Sequence, residues 1–565
     1  MADVRLSLDG QTLRVYPGIF MREALAAVGS GAWSKRNGCW EFPAGAVLDV
    51  IRALRRESAN ILAQEPVHAL AKRAAENDRW LAGVKAEWQE RVRCKMAGVP
   101  KDQWPDTLPP HPFLMYHQRM GAEIADRFNS FALLADTGTG KTLMALEIIK
   151  RKAGANRFMI ITPKTLIKSA WLDDQRDWYP EIKLLPLSRN MSKHDYADIS
   201  ARWGVSGGVD DLCDWADAYI INPESFKRDI SGLPTVQGLI LDESTLVRNK
   251  SDTTTEITKY ADKLAYRYIM TGKPNVNGLM NYFGQMRVVD AAVLGRSFFA
   301  FRARYFETHD RFGYVWTPKP GADEAIARRV ATLSIDVRKE ECLDLPERTF
   351  SIRHVELPPK VMTQYKQLER EMVVELGNTT LTAPMQLTLM GKLRQFTGGH
   401  VITDDGPVPV HTAKMAVLQE VLDEIGDRQV LIWAQYKHEI ATIAAHLRGN
   451  GATVVTANSE TRDIDADIAA FKSGEAQYMV AHPASLKFGV TFIKCTDAVY
   501  YSKDFDYENW YQSCDRIYRK GQENECTYVS LVVPGTIDED IEHAVGRKGT
   551  AASAVELLIG RATGR

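Results

Sequence analysis

Residues 131–150 read FALLADTGTGKTLMALEIIK. An apolar run leads into ADTGTGKT (135–142), and a helical pattern follows at once. The spacing [A/G]xxxxGK[S/T] between a strand and a helix is the phosphate-cradling arrangement. Gly138 and Gly140 let the backbone curl so that successive N–H groups converge on an anion. Lys141 then reaches the β and γ phosphates of a nucleotide, and the Thr142 hydroxyl is offered to Mg²⁺. The expected nucleotide contacts are therefore Asp136, Thr137, Gly138, Thr139, Gly140, Lys141 and Thr142, with ATP and Mg²⁺ as the implied ligands.

Outward from this loop, short apolar strands alternate with helical patterns: FMIITP (158–163), AYIIN (218–222), GLILDE (238–243) and YRYIMTG (266–272). Such runs predict an α/β fold, a parallel sheet covered on both faces. A second series follows at VLIWAQ (430–435), TVVTAN (453–458), YMVAHP (478–483), AVYYSKD (498–504) and YVSLVV (528–533). The four prolines of DQWPDTLPPHP (102–112) mark a linker. The expected domains are 1–57, a small α/β unit; 58–105, helical; 106–285, the first lobe; 286–405, a mostly helical insertion; 406–545, the second lobe; and 546–565, a basic tail.

At 565 residues the chain is long enough for several domains, and its formal net charge of −1 gives no global basic field. Any nucleic-acid surface must be local. The seven cysteines show neither CxxC pairs nor zinc spacing, which predicts free thiols in a reducing compartment. No signal peptide or membrane-length apolar run is expected, so a cytoplasmic protein is, with a bacterial or viral-host setting favoured and the nucleus if the source is eukaryotic.

GLILDESTLVRN (238–249) ends a strand in two adjacent carboxylates. At the carboxyl edge of a parallel sheet both face the ligand crevice. Asp242 is the expected Mg²⁺ holder and Glu243 the group that polarises the attacking water. QSCDRIYRKGQ (512–522) places Arg516 and Arg519 three apart, on one face if helical. With a phosphate site elsewhere in the chain, these become expected arginine fingers whose arrival depends on domain closure.

These motifs, in this order, resemble a superfamily 2 helicase-like ATPase of the Swi/Snf type. LLADTGTGKT is similar to the family's P-loop segment. YHQRMGAEI (116–124) resembles its adenine-reading segment, with Gln118 as the base contact. ITPKTLIKSAW (161–171) resembles motif Ia, which puts Lys164 and Thr165 on the DNA backbone. DESTLVRN resembles motif II, with Ser244-Thr245 where Ala-His is usual, which puts its coupling to motif III in doubt. TGKPNVNGL (271–279) resembles motif III, with Lys273 where Thr is usual. LSIDVRKEECLDLPERT (333–349) resembles a signature of the helical region, and ASLKFGVTF (484–492) motif V, with Gly489 at the nucleotide. QSCDRIYRKGQ fits motif VI, with Gln512 joining the arginines. The resemblance implies two RecA-like P-loop lobes, a DNA-stimulated ATPase, and double-stranded DNA as partner. It favours translocation or reannealing at forks or junctions over strand separation. A strand-separating helicase or restriction-type motor subunit is the alternative. A DNA-binding scaffold with an uncoupled ATPase is a third reading. No protein partner is implied, and a monomer is expected.

In GAWSKRNGCWEFP (31–43), Asn37-Gly38 predicts a two-residue hairpin turn, with Trp33, Lys35, Trp40 and Phe42 on one face. That face either packs on helices 21–28 and 46–56 or stacks on unpaired bases, with Lys35 and Arg36 near the DNA backbone. The segment resembles a HARP domain, the accessory module of annealing helicases.

Overall fold

The computed structural model describes residues 3–16, 21–57, 59–152, 154, 156–187, 193–204, 209–249, 251–275, 278–308, 316–377, 383–486 and 490–546. Gly489 and the tail beyond residue 546 lie outside the described residues. The chain divides into two compact units, Met1–Cys342 and Leu343–Arg565.

The first unit opens with β1 (Asp3–Asp9), β2 (Thr12–Tyr16), β3 (Ala32–Ser34), β4 (Cys39–Pro43) and β5 (Asn60–Ala63), ordered β3-β4-β2-β1-β5. Period-two alternation turns Val4, Leu6, Leu13 and Val15 inward, where they meet Leu25, Val50 and Leu54 of the helices Arg22–Val28 and Val47–Arg56. The hairpin differs from expectation. Trp33 pairs with Trp40 and Ser34 with Cys39, so the loop holds four residues, not two. Side chains set this register: the Asn37 amide donates to Glu41 at 2.6 Å, and the Asn37 N–H donates to Ser34 Oγ at 3.3 Å. Lys35 and Arg36 sit exposed in the loop. Trp33 is 42% exposed, whereas Trp40 is 8% exposed and belongs to the core. A stacking role for Trp40 is therefore corrected to a packing role.

The 32-residue helix Glu65–Met96 starts with Pro66 in its first turn and Glu65 on the favourable end of its dipole. Val67 enters the core of the amino-terminal sheet, while Leu81, Val84 and Trp88 enter that of the next sheet. The helix is thus shared between two cores. Arg329 adds to the docking, donating to the Ala292 and Val293 carbonyls and standing 3.6 Å from Asp49.

The next sheet comprises β6 (Ser130–Ala135), β7 (Phe158–Ile161), β8 (Leu184–Pro186), β9 (Ala218–Ile221), β10 (Gly238–Asp242) and β11 (Tyr266–Thr271). A hairpin of β12 (Phe306–Thr308) and β13 (Trp316–Pro318) stands apart, and β14 (Ser334–Val337) completes the sheet. The order is β14-β6-β11-β10-β7-β9-β8, with every pairing parallel. The central strands are buried along their length, which accounts for their unbroken apolar runs.

The second unit contains β15 (Arg348–His354), the hairpin β16 (His400–Thr403) and β17 (Gly406–Pro409), then β18 (Val430–Trp433), β19 (Val454–Ala457), β20 (Tyr478–Ala481), β21 (Asp497–Tyr500) and β22 (Cys526–Val532). Its six-stranded sheet runs β15-β22-β21-β18-β20-β19, again all parallel. The stretch expected as one helical insertion, 286–405, is shared out instead. β14 joins the first unit's parallel sheet, paired with β6, and β15 joins the second's, paired with β22. Among the described residues, no helix is long and apolar enough to cross a membrane. All seven cysteines are free.

Candidate nucleotide site

Strand order gathers the chemistry. β6, β11, β10 and β7 are neighbours, so the loops leaving their carboxyl ends meet at one edge of the sheet. Those loops carry the P-loop, TGKP (271–274), Asp242-Glu243 and TPKT (162–165) respectively.

In the P-loop, Gly138 and Gly140 take φ of 83° and 82°, the left-handed region that glycine adopts without strain. A Cβ on Gly140 would fall 2.1 Å from Gln118 Nε2. Gln118 is buried; its Nε2 donates to the Thr139 carbonyl at 3.1 Å, and its Oε1 accepts from the Met115 N–H at 2.9 Å. His117 Nε2 lies 2.8 Å from the same Thr139 carbonyl. The helix Tyr116–Arg127 thus grips the loop at its tip. Lys141, at the start of the helix Lys141–Lys152, donates from Nζ to the Ala135 carbonyl at 2.8 Å.

Asp136 is buried, and its carboxylate accepts from the Lys339 N–H at 3.1 Å and pairs with Lys273 Nζ at 3.0 Å. The residue that departs from the family pattern in TGKP therefore binds the P-loop by charge. The first part of the signature segment, the strand Ser334–Val337 and the turn of helix Lys339–Cys342, lies beside that loop, with the Asp136 N–H donating to the Val337 carbonyl.

The acidic pair is held by neighbouring strand ends. Asp242 Oδ2 accepts from Thr162 Oγ1 at 3.0 Å and from the Trp171 indole N–H at 2.9 Å. Among the described residues, no donor reaches Oδ1. Glu243 has φ 55°, and it alone among the described non-glycine residues has positive φ. Such a conformation costs on the order of 1–3 kcal/mol and gathers at working sites. Its Oε1 accepts from Thr271 Oγ1 at 2.9 Å and from Thr245 Oγ1 at 3.2 Å. Ser244, fully buried, donates to Gln285 Oε1 at 2.7 Å, and Gln285 Nε2 donates to the Pro274 carbonyl at 2.6 Å. The helix Asn281–Val289 comes this close because of Gly284, where a Cβ would meet the Val247 carbonyl at 2.0 Å. Motifs II and III are thus joined through Ser244, Thr245 and Gln285.

These residues fit a magnesium nucleotide. The loop is a backbone cradle floored by Gly140, and Asp242 has one oxygen fixed by donors and one turned from them. Lys164 and Thr165 are exposed on the turn after β7. Sequence reasoning missed Trp171, Lys273, Gln285 and Lys339, because only the order of strands brings them here.

In the second unit, the helix Tyr507–Cys514 ends before the arginines, so both lie in the turns that follow it, not on a helical face. The N-cap Asp506 and the buried Asp515 bracket that helix. Arg516 is 2% exposed; it donates from Nε to the Gln512 carbonyl at 2.8 Å and from Nη1 to the Val490 carbonyl at 2.9 Å. Burial, helped by the charge of Arg519, lowers its pKa to about 9. Arg519 is half-buried and donates to Thr491 Oγ1 at 2.7 Å. Gln512 is buried and donates to Glu508 at 3.0 Å.

Two α/β units with parallel sheets, the first bearing a P-loop beside an acidic pair, define a helicase-like P-loop ATPase. The SNF2-related domain matches residues 79–397, more than half of the chain, and the helicase conserved C-terminal domain matches residues 413–521. The chain belongs to the SNF2-related family, within the Swi/Snf type of superfamily 2, and is a DNA-dependent ATPase of helicase-like kind. It is 26% identical over 458 residues to the putative protein p41 of Acyrthosiphon pisum secondary endosymbiont phage 1, covering 77% of this chain and 94% of that one. It is 22% identical to the TATA-binding protein-associated factor BTAF1 of Arabidopsis thaliana and 25% identical to the DNA repair and recombination protein RAD54B of Gallus gallus. These matches cover 76% and 44% of this chain but only 24% and 26% of those proteins. Similar solved structures include the Sulfolobus solfataricus SWI2/SNF2 ATPase core in complex with dsDNA, with a TM-score of 0.36, 19% identity and coverage of 81% of this chain and 96% of that one. The Pyrococcus furiosus Hef helicase domain gives 0.44, 14%, 76% and 97%.

Proposed function

We propose that this protein is an ATP-driven motor that translocates on double-stranded DNA. The observation that carries this reading is the gathering of Lys141, Thr142, Asp242 and the strained Glu243 at one sheet edge, in a chain of the SNF2-related family. Lys141 neutralises the β and γ phosphates. Thr142 and Asp242 would hold Mg²⁺, which would neutralise the charge that develops on the phosphates. Glu243 orients the attacking water and accepts its proton as the γ-phosphoryl bond to the leaving oxygen breaks. Arg519 supplies a guanidinium to the transferred phosphoryl; Arg516, spent on backbone carbonyls, holds the turn that presents it. Gln118 supports the loop tip from which adenine is read.

Lys164 and Thr165 contact phosphates of the DNA backbone, and the amino-terminal domain favours forks or junctions through exposed Trp33, Lys35 and Arg36, as its HARP resemblance implies. The monomer acts in the cytoplasm of a bacterial or phage-infected cell. The test is ATP turnover with single-stranded, duplex and forked DNA over a salt series. Duplex should stimulate most, with stimulation falling steeply as salt rises, because phosphate contacts dominate. Turnover indifferent to DNA would overturn the motor reading, and strand displacement without triplex displacement would favour an unwinding helicase.

A further inference from the structure

The chain between the exposed turn at Lys164–Thr165 and the catalytic edge of the sheet takes an uncommon path. After β7, residues Ile167–Leu172 form a π-helical turn, a conformation that is rare and concentrates at functional sites. The widened turn carries Trp171, which has no solvent exposure and packs in the core with Ile160 and Ile240. Its indole N–H meets Asp242 Oδ2 at 2.9 Å, across 71 residues of sequence. Indole is a donor only, and a charged acceptor strengthens the bond. Thr162, on the other side of the same exposed turn, donates to the same oxygen at 3.0 Å. The carboxylate proposed to hold Mg²⁺ is thus clamped by two side chains that flank residues 163–170.

The two donors are not equivalent. Thr162 directly follows a sheet strand, and its N–H is tied to the Ile221 carbonyl at 3.1 Å, so the sheet fixes it. Trp171 stands at the far end of the turn. The π-turn joins the indole directly to the exposed residues Lys164 and Thr165.

We propose that Trp171 is a positioning residue through which DNA bound at Lys164 and Thr165 sets the orientation of Asp242, and so the Mg²⁺ affinity of the site. This rests on the proposed assignment of Asp242 to Mg²⁺ and of Lys164 and Thr165 to DNA. A metal-orienting partner of this kind is worth about 10–100-fold in affinity or activity.

The experiment uses the full chain with Trp171→Phe, which deletes the N–H and keeps an aromatic ring, and Thr162→Val as the comparison. Three quantities are measured: the Mg²⁺ midpoint for binding a fluorescent ATP analogue, with and without duplex DNA; the ratio of DNA-stimulated to basal ATP turnover; and the affinity for duplex DNA. In the wild type, duplex should lower the Mg²⁺ midpoint. Trp171→Phe should raise that midpoint about tenfold, abolish its response to duplex, and reduce the stimulation ratio at least about tenfold, the low end of the same range, with DNA affinity unchanged. Thr162→Val should raise the midpoint but keep its response to duplex. A Trp171→Phe protein whose midpoint still responds to duplex as in the wild type would overturn the inference. If it also melts at a lower temperature, that result would assign Trp171 to packing alone. The ATPase reading fails by a different sign: Lys141→Ala turning over ATP like the wild type.

Discussion

The acidic pair of the first unit ends a strand and the arginine pair of the second follows a helix, and the two are held by different means. Asp242 and Glu243 are gripped by side chains: Thr162 and Trp171 donate to Asp242, and Thr271 and Thr245 donate to Glu243. Arg516 is gripped by backbone carbonyls of its own neighbourhood and is submerged, while Arg519, three residues on, is half-buried and donates to a threonine hydroxyl. We propose on this basis that the pair divides into a structural member, Arg516, and a working member, Arg519. Burial decides which is which, because a desolvated guanidinium already bonded to carbonyls gains little by leaving them.

Lys141→Ala should strike the first region hardest. Turnover should fall by about 10³ or more, with ATP affinity lost as well, because the phosphates lose their cation. A steady-state assay with a nucleotide-binding titration checks both. The arginines sharpen the contrast. Arg519→Ala should lower turnover at least about a hundredfold with nearly unchanged ATP binding. Arg516→Ala should also lower the melting temperature, since two carbonyls lose a buried donor at about 1–3 kcal/mol. Equal melting of the two variants would erase the proposed division.

A smaller effect is expected on the bridge between motifs II and III. Gln285→Leu removes both the acceptor for Ser244 and the donor to Pro274; turnover should drop about tenfold with KM for ATP nearly unchanged, as for a residue acting through others. Ser244→Ala in the same background should add little, because the two side chains share one bond.

The least effect concerns pH. His400 is buried beside His438, and desolvation lowers its pKa to about 4. Its unfolded form binds a proton near pH 6.5, so between pH 6.5 and 4 the unfolded state holds more protons and stability declines as pH falls. The slope from this one group is at most about 1.4 kcal/mol per pH unit. His400→Phe should flatten the wild-type slope in denaturant titrations across that window.

The local chemistry was readable from the chain. A phosphate cradle needs Gly138, Gly140 and Lys141 at fixed offsets, and a strand ending in Asp242-Glu243 announces its edge, so both survived folding intact. Contacts set by strand order were not readable. Lys273 on Asp136, Trp171 on Asp242 and Gln285 on Ser244 join segments whose nearness depends on β6, β11, β10 and β7 lying side by side. The hydroxyls of Ser244-Thr245, in place of Ala-His, bond to Gln285 and Glu243, partners that the sequence did not pair with them. The amino-terminal hairpin was misread because Asn37-Gly38 suggests a tight turn, whereas the Asn37 side chain binds Glu41 and opens the loop to four residues. In the region 286–405, β14 and the polar, exposed β15 carry no unbroken apolar run, and only pairing with a distant edge reveals them.

Glu243→Gln offers the most direct measurement, because it removes one carboxylate and leaves the cradle alone. In the full-length protein with saturating duplex DNA, the account predicts binding of a fluorescent ATP analogue within about twofold of wild type. It also predicts ATP hydrolysis reduced by about 10³ or more. Hydrolysis by Glu243→Gln within a few-fold of wild type would contradict it.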